Sequence, residues 1–188
     1  DFTVENKEGL DILSRLVREE INNMLAGFYK KHGISPQNLY HITMVGNTIM
    51  LHLFAGFPVK NIAVSPFTPV IARRLDLEPQ KLGIDMCPNG RITLLPMVAG
   101  YVGADTVAAI MASGMDKSDE LALLIDIGTN GEIALGNRKE IIACSTAAGP
   151  AFEGANIRYG MGGVSGAISR VWINDNGTQY ATIGGWPA

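Results

Sequence analysis

Ala122-Leu123-Leu124-Ile125-Asp126-Ile127-Gly128-Thr129-Asn130-Gly131-Glu132 is the stretch whose reading decides the fold. An apolar run of strand length carries a single carboxylate near its end, and a glycine bend follows at once. Gly128 has no Cβ to crowd the bend. The N–H groups there, the Thr129 hydroxyl, Asn130 and the second glycine, Gly131, suit the oxygens of a phosphate. A carboxylate inside so apolar a strand is costly unless it is paired or binds a cation. Asp126 is therefore read as the charged end of a buried strand, placed to hold a magnesium ion through water, because Mg²⁺ keeps much of its hydration shell. The plain alternative is a hairpin with an Asp-stabilised turn.

Downstream, Glu132 to Leu135 and Glu140 to Cys144 read as returning strands. Asn137 sits in the turn between them, which makes a β-meander. Cys144, in the run Ile141-Ile142-Ala143-Cys144, reads as a buried small hydrophobe. Ala167 to Ile173 and Gln179 to Ile183 are two further strands, joined by the hairpin signal Asn174-Asp175-Asn176-Gly177. Upstream, the polar segment Met115 to Glu120 marks a soft boundary, so residues 1–118 and 119–188 are expected to form two subdomains. A helix is expected from about Asp105 to Ser113, with Asp105 as N-cap and Gly114 as its stop. Residues 57 to 100 are punctuated by proline and look irregular apart from a strand at Arg91 to Leu95. A strand at Tyr40 to Val45 runs into Gly46-Asn47-Thr48 and a helix from about Ile49 to Phe54, closed by Gly56 and Pro58. Leu10, Leu13, Leu16, Val17, Ile21, Met24, Leu25 and Phe28 make a long amphipathic helix from about Glu8 to Lys31, ended by Gly33.

Composition narrows the function classes. With 188 residues and 47% hydrophobic content the chain can bury one good core or two small ones, and 18% charged residues argue against disorder. A net charge of −3 gives no basic surface for nucleic acid. Cys87 and Cys144 cannot supply a four-cysteine iron–sulfur cluster, and they fit a reducing compartment. The start Asp1-Phe2-Thr3-Val4-Glu5 has neither the basic start nor the apolar stretch of a signal peptide, and no run reaches the ~20 apolar residues of a membrane span. The expectation is a cytoplasmic chain with no membrane partner.

Strand–Asp-x-Gly-Thr–strand resembles the phosphate loop of the superfamily of acetate and sugar kinases, heat-shock chaperones and actin. Three more stretches narrow the resemblance: Val45-Gly46-Asn47-Thr48-Ile49-Met50-Leu51-His52, Gly100-Tyr101-Val102-Gly103-Ala104-Asp105-Thr106-Val107-Ala108-Ala109, and Cys144-Ser145-Thr146-Ala147-Ala148-Gly149-Pro150-Ala151-Phe152-Glu153-Gly154-Ala155. In this order, over nearly the whole chain, they are similar to the reductive activators of corrinoid proteins, which are ferredoxin-linked proteins with an ASKHA-type ATPase domain. The resemblance implies an α/β fold of the actin-like, ribonuclease H-like kind, a mixed sheet with flanking helices, incomplete at the C-terminal end. Residues 1–118 would then end a first lobe and 119–188 begin a second. It implies ATP and magnesium as cofactors, and a corrinoid protein or corrinoid-dependent methyltransferase as partner, whose inactive Co(II) corrinoid is returned to Co(I). It places the iron–sulfur cluster in a part of the parent outside this chain. The sequence departs from the complete pattern: it has no cluster cysteines, no first Asp-x-Gly-Thr loop ahead of the long helix, and it ends before a Gly-rich segment expected after Gly184-Gly185. The expectation is an internal piece, inactive alone.

Glu153, just past the rigid Gly149-Pro150 turn, is placed to orient water or metal beside Asp126, or is an ordinary acid at a helix start. Asn130 and Thr146 bind phosphate or merely close turns. Gly46 and Asn47 line a nucleotide or a partner surface, with Gly46 allowing close approach and Thr48 capping the helix. His52 reads as a satisfied core histidine rather than a ligand, for nothing beside it supplies a second donor. Two other functions stay open: a non-catalytic module that docks a corrinoid protein, and a small-molecule kinase of the same superfamily. The last strands lack a covering helix, so continuation beyond residue 188 or a homodimer is expected.

Overall fold

The first helix, α1, runs Lys7–His32 and stops at Gly33, whose φ of +63° is the left-handed turn that glycine adopts at no steric cost. The computed structural model describes residues 7–128, 130–146, 161–175 and 177–185. Val17, Ile21 and Leu25 of α1 pack on the main core, while Leu16, Met24 and Phe28 stay exposed. Polar side chains of the same helix fix what lies beneath. Asn22 donates from Nδ2 to the Gly83 carbonyl at 2.7 Å and accepts at Oδ1 from the Asp85 N–H at 2.9 Å. The Tyr29 hydroxyl donates to the Asp85 carbonyl at 2.6 Å.

A three-stranded mixed sheet follows, of β1 (His41–Met44), β2 (Leu75–Leu77) and β3 (Arg91–Leu94). Its order is β1-β3-β2, with β1 parallel and β2 antiparallel to β3. The region expected to be irregular thus contributes β2 and two single-turn helices, α3 (Lys60–Ala63) and α4 (Pro79–Leu82). Ile92 and Leu94 of β3, Leu51 and Phe54 of α2 (Thr48–Ala55), and Met86 make the centre of the core. α2 closes at Gly56, φ +78°, and Arg18 of α1 donates from Nε to the Phe54 carbonyl at 2.8 Å. That cation sits at the end of α2 where the free carbonyls concentrate.

His52 is 0% exposed. Its Nε2 accepts from the Val70 N–H at 3.0 Å, so the ring proton is on Nδ1, which donates to the Thr48 carbonyl at 2.7 Å. Both nitrogens are satisfied, as expected for a core histidine, and the ring ties the Val64–Val70 segment to α2. Burial pushes its pKa down, only partly offset by the Thr48 carbonyl.

The junction after β1 differs from the expected capping. Asn47, not Thr48, is the N-cap of α2, its Oδ1 accepting from the Met50 N–H at 2.9 Å. Thr48 is buried instead and donates its hydroxyl to the Ala99 carbonyl at 2.8 Å. Helix α5 spans Ala104–Ser113, capped by Gly103 rather than by Asp105; Asp105 lies in the first turn with Oδ1 accepting from the Thr106 N–H at 2.9 Å. The Gly46 carbonyl accepts from the N–H groups of Ala104 and Asp105, at 3.0 and 3.4 Å. The close approach is made at Gly103: a Cβ there would lie 2.7 Å from Asn47 Cα and 2.8 Å from the Gly46 carbonyl oxygen. The nearest atoms a Cβ at Gly46 would meet are those of Met50 and Leu51, at ordinary distances of 3.8 to 3.9 Å. Gly114, φ +73°, ends α5 as expected.

The far end of α5 carries a second, smaller core. Ile110, Met115 and Ala134 are its buried residues, with Ala122, Leu124, Ile141 and Ala143 packed against them. Ala134 and the four packed residues come from the meander β4 (Ala122–Ile127), β5 (Gly131–Asn137) and β6 (Glu140–Thr146), in the order β4-β5-β6. The alternation is that of a sheet covered on one face. Leu123, Ile125, Ile127 and Ile142 are exposed, Ile127 at 85%, so β4 is not the buried strand that its apolar run suggests. Cys144 is likewise exposed, because position 144 falls on the open face with Ile142.

Packing divides the chain into two compact units, one of residues up to Asp126 with Glu132–Ser145, the other of Ile127–Gly131 with the residues from Thr146 onward. In the second unit β7 (Ile168–Asn174) and β8 (Gly177–Thr182) form the expected antiparallel hairpin, with Asn174 opposite Gly177. Trp172 donates from Nε1 to Gln179 Oε1 at 2.9 Å across it.

Two outcomes follow from this packing. A histidine held neutral has its folded pKa below the unfolded value near 6.5. Its contribution to stability is complete above pH ~6.5 and is lost as pH falls through the window down to the lowered folded value. Urea midpoints from pH 7.5 to 5 should therefore fall more steeply in the wild type than in His52→Gln, which is less stable throughout; parallel profiles refute the assignment. Gly103→Ala should cost roughly 1–3 kcal/mol, because the obstructing atoms are backbone, while Gly46→Ala stays within about 0.5 kcal/mol. Equal losses in the two variants would show that the contact at Gly103 is not the tight one.

Candidate functional site

The meander delivers Asp126 to the penultimate position of β4. The carboxylate is exposed and makes no ion pair among the described residues. The desolvation cost that singled it out in the sequence is thus not paid in this chain. The Asp-x-Gly pattern itself stands, on a strand that ends in a bend. Gly128 donates its N–H to the Asn130 carbonyl at 2.9 Å, which closes the turn internally and occupies that amide. Among the described residues, a Cβ at Gly128 would meet only that same oxygen, at an ordinary 3.6 Å. Asn130 is exposed, Gly131 is the buried first residue of β5, and Thr146 is the exposed last residue of β6. Thr129, Gly149 and Glu153 lie outside the described residues.

Gly46 and Asn47 stand elsewhere in the first unit, committed to the α2 and α5 starts. The α5 amides of Ala104 and Asp105 are taken by the Gly46 carbonyl, and that of Thr106 by Asp105 Oδ1. That helix start therefore offers no free N–H cradle at those positions for an anion. No hydrogen bond among the described residues joins Gly46 or Asn47 to Asp126.

The donor chemistry at Asp126 fits a hydrated magnesium ion, which needs one free carboxylate and otherwise keeps water. No group of three or more His, Cys, Asp or Glu side chains among the described residues could enclose a metal ion, so those residues offer no dehydrated protein cage. For phosphate oxygens the described part of the loop presents little, since the Gly128 amide is already spent. Glu132 Oε1 accepts from the Ser145 hydroxyl at 3.2 Å, on the covered face of the meander.

Sequence reasoning missed a second polar cluster, on the first sheet. The buried Thr93 hydroxyl donates to Asp76 Oδ1 at 2.6 Å and accepts from His41 Nε2–H at 2.9 Å. Arg74 and Arg91 reach the same carboxylate, at 3.2 and 3.4 Å. The Thr93 hydrogen bond is the largest cause holding Asp76 below the usual carboxylate range; desolvation, next in size, opposes it, and the Arg74 and Arg91 guanidinium groups add to the lowering. The alternation Leu75-Asp76-Leu77 was the available signal, but three residues are too few for periodicity to stand out. Arg74 and Arg91 satisfy this carboxylate, which makes the cluster a cross-strand tie.

Comparison with known proteins gives the family. The family described as RACo middle region matches residues 1–118, and the C-terminal domain of RACo, the ASKHA domain, matches residues 120–188. The corrinoid activation enzyme RamQ of Eubacterium limosum is 34% identical over 184 residues, 98% of this chain and 31% of RamQ. The [Co(II) methylated amine-specific corrinoid protein] reductase of Methanosarcina barkeri is 29% identical over 180 residues, 91% of this chain and 32% of the reductase. A solved structure described as a reductive activator for corrinoid, iron-sulfur protein superposes with a TM-score of 0.81 at 38% identity, over 99% of this chain and 30% of the solved one. The chain spans about a third of the length of these relatives. The α/β fold with its mixed sheet is accordingly that of an ASKHA domain, and the chain belongs to the RACo family, with the middle region over residues 1–118 and the ASKHA domain from residue 120.

Proposed function

We propose that this chain is part of an ATP-dependent reductive activator that returns the inactive Co(II) corrinoid of a partner protein to Co(I). The observation that carries the reading is the exposed Asp126 carboxylate, without an ion pair among the described residues and two residues ahead of the Gly128 bend, in a chain 38% identical to a solved corrinoid-protein activator. Residues 1–118 would end one actin-like lobe and residues 119–188 begin the next. The electron would come from an iron–sulfur cluster carried outside this chain, since Cys87 and Cys144 are its only cysteines.

In this role Asp126 orients the waters around a magnesium ion, and Gly128 keeps the bend open to phosphate. Thr129, Asn130, Thr146 and Gly149 are the candidate donors to the phosphate oxygens, and Glu153 the candidate group for orienting water. When bound, magnesium-ATP supplies the free energy that makes an uphill one-electron transfer possible. Catalysis on this side is positioning and electrostatics rather than covalent chemistry. The partner is a corrinoid protein or a corrinoid-dependent methyltransferase, and the setting is cytoplasmic. No helix among the described residues is long and apolar enough to cross a membrane.

The test uses the intact protein containing this chain, an electron donor, magnesium-ATP and a panel of purified corrinoid proteins held as Co(II). Co(I) formation is followed by its absorbance. Asp126→Asn should lower the magnesium-dependent rate by about 10–100-fold, as loss of a group that orients metal-bound water does. An unchanged rate and unchanged magnesium dependence remove Asp126 from the mechanism, and reduction without ATP removes the ATPase reading.

A further inference from the structure

The covered face of the meander turns from apolar to polar at one end. The short turn between β5 and β6 sets Asn137 opposite Glu140, so counting back places Ala134 opposite Ala143 and Glu132 opposite Ser145. The Ser145 hydroxyl donating to Glu132 Oε1 at 3.2 Å and the joint packing of Ala134 and Ala143 agree with that register. At the other turn the Gly128 N–H meets the Asn130 carbonyl, which sets Asp126 opposite Glu132 and Leu124 opposite Ala134. Leu124, Ala134 and Ala143 thus make an apolar row in the core with Ile110. Asp126, Glu132 and Ser145 make the next row on the same face, with Glu132 half-buried and Asp126 exposed.

Helix α5 runs antiparallel to β4. Ser113, Gly114 and Met115 line one cavity with Ala122 and Leu124, so the C-terminal end of α5 lies at the start of β4. The N-terminal half of α5 therefore points towards the Asp126 row. Thr106 precedes Ile110 by one helical turn on the same face, a shift of about 6 Å that matches the spacing of alternate residues along a strand. It is 1% exposed, and its hydroxyl has no hydrogen-bond partner among the described residues. A buried hydroxyl is costly to leave unpaired.

Carboxylates directly opposite one another on neighbouring strands, with Cβ atoms about 5 Å apart, repel. Neither Asp126 nor Glu132 makes an ion pair among the described residues. A cation between them, with its water shell, relieves that repulsion and supplies the partner that the Thr106 hydroxyl lacks.

We propose that Glu132 is the second carboxylate of the Asp126 site, sharing with Asp126 the water shell of a divalent cation, and that the Thr106 hydroxyl bonds one of those waters. Ser145 fixes the Glu132 carboxylate. The inference rests on the metal role of Asp126 proposed above. Glu132 is a positioning residue, acting on the reaction through the metal's water.

The test titrates Mn²⁺, a spectroscopic stand-in for Mg²⁺, into the intact protein with ATP and follows free Mn²⁺ by its paramagnetic resonance. Glu132→Gln should weaken Mn²⁺ binding about 10-fold, as loss of a group that orients metal ligands does. The Mg²⁺ concentration for half-maximal corrinoid reduction should rise by a similar factor, with kcat at saturating Mg²⁺ retained. Without metal, Glu132→Gln should melt no lower than the wild type, because it removes a repulsion. In an Asp126→Asn background its effect on Mn²⁺ binding should shrink, since the two groups act on one ion. Thr106→Val should weaken Mn²⁺ binding and Thr106→Ser should keep it, a pair that tests the site from the helix side if Glu132→Gln does not fold. Unchanged Mn²⁺ affinity in folded Glu132→Gln, with Asp126→Asn weakened, overturns the inference and leaves the activator reading standing. A lower melting temperature with unchanged Mn²⁺ binding reduces Glu132 to a structural tie and also overturns it. Unchanged binding in both carboxylate variants overturns this inference together with the metal role of Asp126. Reduction of no corrinoid protein, with Mn²⁺ binding lost as expected, overturns the activator reading and leaves the cation site standing.

Discussion

One carbonyl oxygen, that of Gly46, accepts from the first two amides of α5, and the contact exists only because Gly103 has no side chain. That contact seats the start of α5. Ala104, at the start of α5, is part of the main core, and Ile110, two turns on, is part of the second. One helix therefore belongs to both, and the position of β4, with Asp126 near its end, is set by where α5 begins. A 1 Å error at Gly103 would be carried along a rigid helix to the sheet it covers.

Elements with long periodic signals were legible in the sequence. The stripe Leu10–Leu13–Val17–Ile21 called for α1, and the glycines at 33, 56 and 114 ended helices where left-handed turns stand. The Gly/Asn turns gave the meander and the hairpin. What the sequence concealed were matters of a single residue or of tertiary context. Whether Asn47 or Thr48 caps α2 depends on whether Thr48 can reach the Ala99 carbonyl, 51 positions away. β2 is too short to declare itself. Asp105, which looked like a cap, sits inside the helix because Gly103 and the Gly46 carbonyl had already started it.

The candidate site was legible as a pattern and not as an environment. A continuous apolar run cannot reveal whether both faces of a strand are covered, and in β4 one face is bare. The argument from buried charge therefore lapses, while the argument from strand, carboxylate and glycine bend is untouched. His52 was read correctly for a reason the structure makes concrete: both ring nitrogens are taken by backbone groups, which leaves no lone pair for a metal.

The bare face of the meander has a consequence for how this chain opens. Among the described residues its apolar packing is on the α5 side alone, so lifting one helix uncovers three strands at once, whereas the first core is gripped by α1, α2 and β3 together. Local unfolding follows the number of buried contacts that must be broken. Limited proteolysis and amide exchange should then reach β4–β6 well before they reach β1–β3, so that one packed unit softens first along its uncovered sheet.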